Sequence, residues 1–198
     1  VLYFHGRLSF QEKAWADARK YFGMALAVKP EMHAARYFLA RSMMAAGDFK
    51  EAREVVEALL AEVPEHLGAR VSLAEIELAA KNLDAAAAAA ATVINAAKAG
   101  ADAQEQFQAF SVLARIEEAR GNLEGRMTQL RAALSAHPTD EATSALLGRL
   151  LLSSGKRGEA IGAMRPCRER GCNSEAFLLT YAQAAFDDEQ DEVAAAAL

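Results

Sequence analysis

Small and apolar residues recur along the chain at helical spacing, in segments that end at proline. The segments before Pro30, Pro64 and Pro138 are alike in kind and read KYFGMALAVKP, EVVEALLAEVP and RMTQLRAALSAHP. Pro30 and Pro64 are 34 residues apart. An amphipathic segment that stops at proline and returns at a fixed period indicates a helical repeat.

Two positions within this period hold small residues. The first recurs at steps of 34, 34, 40, 34 and 34 residues and holds Gly6, Ala40, Ala74, Ala114, Gly148 and Ala182. The second lies twelve residues later and holds Ala18, Ala52, Ala86, Arg126, Ala160 and Ala194. We expect two helices of one repeat to approach closely at these positions. Arg126 is then expected to loosen the packing or to extend its side chain outward. The leucines just before the first position are expected to fill the interior: Leu39, Leu73, Leu113 and Leu147.

Each repeat is predicted to be a helix, a turn and a second helix. The predicted helix pairs are 2–12 with 14–28, 33–46 with 49–62, 67–80 with 83–97, 105–120 with 123–136, 141–154 with 157–169, and 175–187 with 190–198. They form a single domain, 1–198, with repeats at about 1–32, 33–66, 67–104, 105–140, 141–174 and 175–198. Because the first and last repeats are incomplete, the chain is expected to be a fragment of a longer array.

The pattern resembles the tetratricopeptide repeat (TPR) family, which has small residues near positions 8 and 20, a bulky residue near 24 and proline at 32. The second repeat matches best, through Leu39-Ala40, Gly47-Asp48-Phe49, Ala52 and Pro64. The third departs from the pattern with Lys98 in place of proline and about six extra residues around Ala99–Gln104. In the fifth, Cys172 replaces the proline. The resemblance implies an all-α fold, a right-handed α-α superhelix (TPR solenoid) of antiparallel helix pairs.

Composition agrees with a helical chain and limits the class of partner. Alanine accounts for 47 of 198 residues, whereas Val, Ile and Thr together make up about 9%, which argues against a sheet. The net charge of −5 gives no reason to expect a nucleic-acid partner. The chain has no run of about 18 apolar residues, so we expect no membrane span.

Motifs for catalysis or cofactor binding are absent from the sequence. No phosphate-binding loop, dinucleotide fingerprint, zinc-protease motif or nucleophile elbow occurs, so we expect no enzyme, no cofactor and no metal. Cys167 and Cys172 are the only cysteines. Two interpretations stay open: Cys167 is a small core residue, or the pair forms a disulfide across the RPCRERGC turn. Pro166 is expected to disturb the helix end there.

The resemblance also implies where a partner would bind. In this family the first helix of each pair lines a concave groove, and four of six repeats here place an arginine at the same inward position. The candidate groove residues are Tyr3, Arg7, Tyr37, Arg41, Met44, Glu75, Arg115 and Arg149. Such a groove suits a peptide with acidic and apolar side chains. Alternatively, the arginines only solvate a helix face or pair with Glu75 and Glu118.

Three functions remain open from the sequence. The first is a non-catalytic scaffold that binds a protein or peptide partner in its groove, where the arginines favour an acidic partner. The second is a regulatory or scaffolding region of a larger bacterial envelope, secretion or polysaccharide-export protein. The third is a self-assembling element that associates through its exposed end helices. The alanine-rich, arginine-rich composition suggests a bacterial source, with the cytoplasm and the periplasm both open.

Overall fold

The computed structural model of the protein describes residues 1–97 and 103–187. Across these residues the chain forms helices joined by short turns, and no strand occurs among them. The helices are α1 (Leu2–Gln11), α2 (Trp15–Val28), α3 (His33–Ala46), α4 (Phe49–Glu62), α5 (Leu67–Ala79), α6 (Leu83–Ala97), α7 (Ala103–Ala119), α8 (Leu123–Ala136), α9 (Glu141–Ser153), α10 (Arg157–Glu169) and α11 (Glu175–Asp187).

These bounds confirm the predicted all-α fold of antiparallel helix pairs. Each observed boundary lies within two residues of its prediction. One difference concerns the extra segment around Ala99–Gln104, because α7 already begins at Ala103 and takes the end of that segment into its first turn. The predicted helix 190–198 lies outside the described residues.

Packing divides the chain into two compact units, Val1–Ala99 and Gly100–Leu198, which we call the N-terminal and C-terminal units. In the N-terminal unit, Phe22 packs with alanines of α2 and α3, and Val56, Leu59 and Ile76 form a second cluster. In the C-terminal unit one cluster joins α7–α11 and includes Leu147, Met164 and Phe177. Each core is therefore built between consecutive pairs, as expected where one pair cannot bury its apolar face alone.

The small residues lie where the helices of a pair meet, as predicted. Ala40, Ala74, Ala18, Ala52, Ala86 and Ala160 have no exposed surface, and Gly6 and Gly148 are buried. A Cβ on Gly6 would lie 2.7 Å from the Phe22 ring, and one on Gly148 would overlap the Met164 sulfur. Each of these glycines therefore lies against a large side chain of the second helix that leaves no room for a methyl group.

Two expectations about individual side chains need correction or refinement. The four leucines do not all fill the interior: Leu147 is fully buried, whereas Leu39, Leu73 and Leu113 are half-buried. Each of these leucines lies one residue before the small residue at the helix contact, and one residue corresponds to a rotation of about 100° around the helix. Arg126 extends outward along the helix pair, and its guanidinium lies 2.8 Å from the Glu118 carboxylate.

In the first five repeats, the turn between the two helices has a left-handed residue at one fixed place. The residues are Lys13, Gly47, Lys81, Gly121 and Gly155, with φ of 59°, 91°, 64°, 71° and 72°. Glycine adopts this conformation without steric cost, whereas a lysine adopts it at a steric cost. A side-chain cap also begins α5, α8 and α9. The cap residues His66, Asn122 and Asp140 each accept a hydrogen bond from the backbone N–H three residues on.

Candidate functional site

The candidate groove residues lie on the first helix of each pair, as predicted. In the N-terminal unit these helices are α1, α3 and α5, and α3 contacts both of the others. Tyr3 and Arg7 lie one turn apart on α1, and Tyr37 and Arg41 repeat this arrangement on α3. In each pair the arginine donates a hydrogen bond to the tyrosine hydroxyl, at 3.2 Å and 3.0 Å.

The same two arginines also contact aromatic rings of the neighbouring helix. The Arg7 guanidinium lies 4.2 Å from the centre of the Phe38 ring, and that of Arg41 lies 6.0 Å from the Phe10 ring. Phe38 in turn stacks on Phe22 at 5.8 Å. Each arginine thus links α1 to α3 by a cation–π contact, so these side chains have a structural role that the sequence alternatives did not include.

Tyr37 also joins α3 to the start of α5. Its ring lies 5.1 Å from the His66 ring, and a Cβ on Gly68 would lie 2.9 Å from its hydroxyl oxygen. Met44 is half-buried against the second core cluster, and Glu75 is half-buried on α5. The N-terminal unit therefore presents its candidate residues as a packed face in which tyrosines and arginines are fixed by neighbours.

The arginines of the C-terminal unit are in a different environment. Arg115 on α7 and Arg149 on α9 are exposed, and neither has a hydrogen bond or an ion pair with any residue of 1–97 or 103–187. The residues one turn before them, where the other unit has tyrosine, are Ser111 and Ala145. Ser111 donates its hydroxyl to the Phe107 carbonyl. These two guanidinium groups therefore differ from those of Arg7 and Arg41, which lie against aromatic rings.

The alternative that these arginines pair with Glu118 is wrong for that carboxylate, because Glu118 pairs with Arg126 instead. Arg126 lies on α8, directly across the helix pair from Glu118, whereas Arg115 lies on the same helix at a spacing of three residues and faces solvent. The groove arginines of the C-terminal unit therefore keep their donors free of this carboxylate.

Sequence reasoning missed a recurring arginine clamp between consecutive repeats. Arg36 donates to the Pro30 carbonyl and Arg70 to the Pro64 carbonyl, both at 2.8 Å. Arg36 also pairs with Glu62 at 2.6 Å. The signal was present as an arginine six residues after each of two repeat prolines. The clamp gives a hydrogen-bond donor to the proline's own carbonyl group, which lies just beyond the end of the preceding helix.

A buried carboxylate was also missed. Glu77 on α5 is almost fully buried, pairs with Arg53 of α4 and accepts a hydrogen bond from Asn82 at 2.8 Å. A buried ion pair whose remaining oxygen is hydrogen-bonded avoids much of the desolvation penalty. The residue therefore belongs to the contact between two repeats and is not exposed for acid–base chemistry.

The two cysteines form a disulfide, which settles the alternatives left open above. Cys167 near the end of α10 is bonded to Cys172, their Cα atoms lie 5.3 Å apart, and both are buried. The expected disturbance at Pro166 is absent, since α10 continues through it to Glu169. The Arg170 guanidinium donates to the Pro166 carbonyl at 2.8 Å. The disulfide thus closes the repeat at the place where three other repeats have proline.

The start of α11 is held by Glu141 of α9. Its carboxylate accepts hydrogen bonds from the backbone N–H groups of Asn173 and Ser174, at 2.7 Å and 2.9 Å. The Ser174 side chain first, and then the Asn173 N–H, lower the pKa of Glu141 below its ordinary value. An ionised carboxylate at a helix N-terminus also interacts favourably with the helix dipole.

The described residues offer no group of three or more His, Cys, Asp or Glu side chains that could hold a metal ion. Within residues 1–97 and 103–187, no helix combines the length and the apolar character needed to cross a membrane.

A family profile described as tetratricopeptide repeat matches residues 9–65 and 43–116, which together cover more than half of the chain. No curated protein matches the sequence. Two similar solved structures are a thermophilic TPR protein of Thermus thermophilus and PilF of Pseudomonas aeruginosa. The first is 21% identical with a TM-score of 0.71 and covers 93% of this chain and 97% of its own. The second is 15% identical with a TM-score of 0.77, covering 99% and 86%.

A third solved structure, YrrB, is described as a TPR protein with an unusual peptide-binding site. It is 14% identical, with a TM-score of 0.57, and the match covers 89% of this chain and 88% of that one. At these identities the three structures resemble this chain in fold.

Proposed function

The chain belongs to the tetratricopeptide repeat family, and from this premise we propose that it is a non-catalytic scaffold that binds a protein or peptide segment on the first helices of its repeats. The TPR fold generally mediates protein–protein interaction. We infer that the partner is a segment with acidic and apolar side chains. The fold similarity to a TPR protein with a peptide-binding site supports a peptide as the partner class.

One observation carries the proposal. Arg115 and Arg149 occupy the same repeat position, are exposed, and have no partner among the described residues, whereas Arg7 and Arg41 at that position are held on aromatic rings. Exposed guanidinium groups in a regular series can each bind a carboxylate through two parallel hydrogen bonds. Within the C-terminal unit, Arg115 and Arg149 would therefore make the charged contacts.

The N-terminal unit would supply a packed surface of fixed side chains. Tyr3, Arg7, Tyr37 and Arg41 are already ordered by hydrogen bonds and ring contacts, so a partner that touches them loses little side-chain entropy. Met44 and Glu75 complete the proposed set. Met44 offers an adaptable apolar contact, and Glu75 is the half-buried acidic member of the set.

The test is an array of synthetic peptides that vary in Asp, Glu, Leu and Lys content, probed with the fluorescently labelled whole chain. We expect retention on peptides with acidic and apolar residues, and retention should fall with added salt. The double variant Arg115→Glu/Arg149→Glu should lose this retention. A matched control is Lys20→Glu/Lys50→Glu, which makes the same change of net charge at exposed positions of α2 and α4.

If the control loses binding as fully as the arginine variant does, net charge rather than the two arginines determines retention, and the proposed site is wrong. Helical circular dichroism of both variants should equal that of the parent, since all four side chains are on the surface.

A second candidate, self-association, is favoured by the apolar face of α1. Val1, Phe4 and Leu8 are 91%, 73% and 53% exposed and lie on one side of the helix. Phe38, which is equivalent to Phe4 in the next repeat, is covered by Phe22 and Arg7. Light scattering over a range of concentrations tests this candidate: a constant monomer mass would exclude it, and Phe4→Glu should abolish any dimer that forms.

A further inference from the structure

A groove lies between α8 and α10 in the C-terminal unit, on the second helices rather than the first. Its volume is about 440 Å³, within the range of ligand-binding clefts. Apolar groups form much of its lining: Leu134, Pro138, Leu147, Ala163 and Pro166. Charged groups stand at its edges, and the set of residues that lines it does not include Arg115 or Arg149.

Two side chains that line the groove are shorter than those at the same positions of the second repeat. Gly162 and Ala163 on α10 correspond to Glu54 and Val55 on α4 of the N-terminal unit. A Cβ built on Gly162 has no atom within 4 Å, so the space beside it is open. The fifth repeat therefore has less bulk on this helix face than the second repeat has.

The charge at one edge of the groove is opposite in sign to the charge at the same place in the second repeat. Arg170 corresponds to Glu62, which pairs with Arg36 in the N-terminal unit, and the equivalent of Arg36 is Ser144. The pair found there is therefore replaced by a single cation. The Arg170 guanidinium donates one hydrogen bond to the Pro166 carbonyl and has further donors available, because a guanidinium carries five N–H groups.

The other edge is already neutralised. Arg131 and Glu159 lie 2.6 Å apart, with 41% and 55% of their side chains exposed. The lining therefore combines an apolar floor with one uncompensated positive charge. That combination is complementary to a carboxylate next to an apolar side chain.

We propose that the groove between α8 and α10 is a second binding site, for an extended peptide segment that carries a leucine-sized apolar side chain beside an aspartate or glutamate. The apolar side chain occupies the space over Leu147 and Ala163, and the carboxylate pairs with Arg170. The exposed edges favour a peptide, since a small ligand would need most of its own surface buried, whereas a peptide needs only one side covered.

The experiment uses the whole chain and a fluorescein-labelled synthetic peptide that alternates leucine and aspartate between glycine-serine ends. Fluorescence anisotropy should show saturable binding, and the matched peptide with asparagine for aspartate should bind several-fold more weakly. Gly162→Leu fills the groove and should weaken binding about tenfold. Arg170→Glu should weaken it to a similar degree.

Gly23→Leu is the control, because Gly23 is also a helical glycine with no atom within 4 Å of a built Cβ, but it lies on α2. Its affinity should equal that of the parent. Amide chemical-shift changes on titration should concentrate in residues 131–138 and 159–170. In the variant Arg115→Glu/Arg149→Glu, which removes the charged contacts proposed on the first helices, the shift changes in residues 131–138 and 159–170 should persist, which separates the two sites.

Three results would overturn the proposal: no saturable binding below roughly 1 mM peptide, unchanged affinity in Gly162→Leu, or loss of binding in Arg115→Glu/Arg149→Glu with shift changes confined to α7 and α9. The last of these would assign the peptide to the first helices and support the function proposed there.

Discussion

Gly6→Ala in α1 and Gly23→Ala in α2 are the same chemical change in one helix pair, yet we expect opposite effects on stability. Both positions are helical, so each substitution gains about 0.5–1 kcal/mol from helix propensity. The two differ in what the new methyl group meets. At Gly23 a Cβ has no atom within 4 Å, so the propensity gain should appear in full.

At Gly6 the new methyl would lie 2.7 Å, 2.8 Å and 3.0 Å from three carbons of the Phe22 ring. That ring has no exposed surface, stacks on Phe38 at 5.8 Å and lies 5.9 Å from the Tyr3 ring. It therefore has no space into which to retreat. Inserting a methyl group into such a core costs about 1–3 kcal/mol. After the propensity gain, Gly6→Ala should destabilise the protein by about 1 kcal/mol.

Urea unfolding followed by tryptophan fluorescence measures the difference directly. Trp15 is the only tryptophan, begins α2 and lies 5.2 Å from the Phe10 ring of α1, so its emission reports on this helix pair. The two variants should differ in free energy of unfolding by about 2 kcal/mol, with equal m-values. Equal m-values show that both unfold from a similarly compact state.

A double-mutant cycle identifies the cause. In a Phe22→Leu background, Gly6→Ala should cost less by about 1 kcal/mol or more, because the ring it meets is gone. The reasoning is refuted if Gly6→Ala raises the urea midpoint as much as Gly23→Ala does. It is equally refuted if the cost of Gly6→Ala is the same with and without the Phe22 ring.

Three further outcomes are expected from the turns, the disulfide and the C-terminal unit. Lys81→Gly should stabilise the protein by about 1 kcal/mol because it relieves a left-handed non-glycine residue, whereas Lys81→Ala, which keeps the strain, should not; urea midpoints compare the two. Reduction of the Cys167–Cys172 bond, which closes a loop with a sequence separation of 5, should lower the free energy of unfolding by about 2 kcal/mol. If the reductant lowers the stability of the Cys167→Ala/Cys172→Ala variant by the same amount, the effect comes from the reductant and not from the disulfide. The pKa of Glu141 is lowered in the folded protein from 4.5, so its contribution to stability is complete above that pH and is lost as the pH falls through the lowered pKa; Glu141→Gln should therefore be less stable than the parent at pH 7 and converge with it in acid, and a gap independent of pH would contradict this role.

The helix boundaries and the close contacts could be predicted from the sequence because local signals and tertiary packing agree. A small residue at a fixed place in each repeat allows only one arrangement of a helix pair. The buried Ala40 and Ala52 show this directly. Where each helix ends also follows locally, since proline or a left-handed residue such as Gly47 stops the hydrogen-bond ladder.

The candidate site was less predictable, because the repeat period gives the position of a side chain and not its partner. Arg7 and Arg115 share one repeat position, but the first lies over Phe38 and the second lies in solvent. The difference comes from other residues, namely a tyrosine one turn earlier and an aromatic ring on the next helix. Such choices depend on side-chain contacts across helices, which no single periodicity encodes.

The paired sizes at the helix contacts have a consequence for how such a chain avoids folding errors. A repeat protein offers each helix several similar partners, and pairing with the wrong one would trap the chain. Gly6 accepts Phe22, whereas Ala40 in the next repeat stands at the position opposite Val56. Exchanging the second helices would press the Phe22 ring against the Ala40 methyl and leave a void beside Gly6. The matched sizes of Gly6 and Phe22 thus favour pairing of α1 with α2 over pairing with the similar second helix of another repeat.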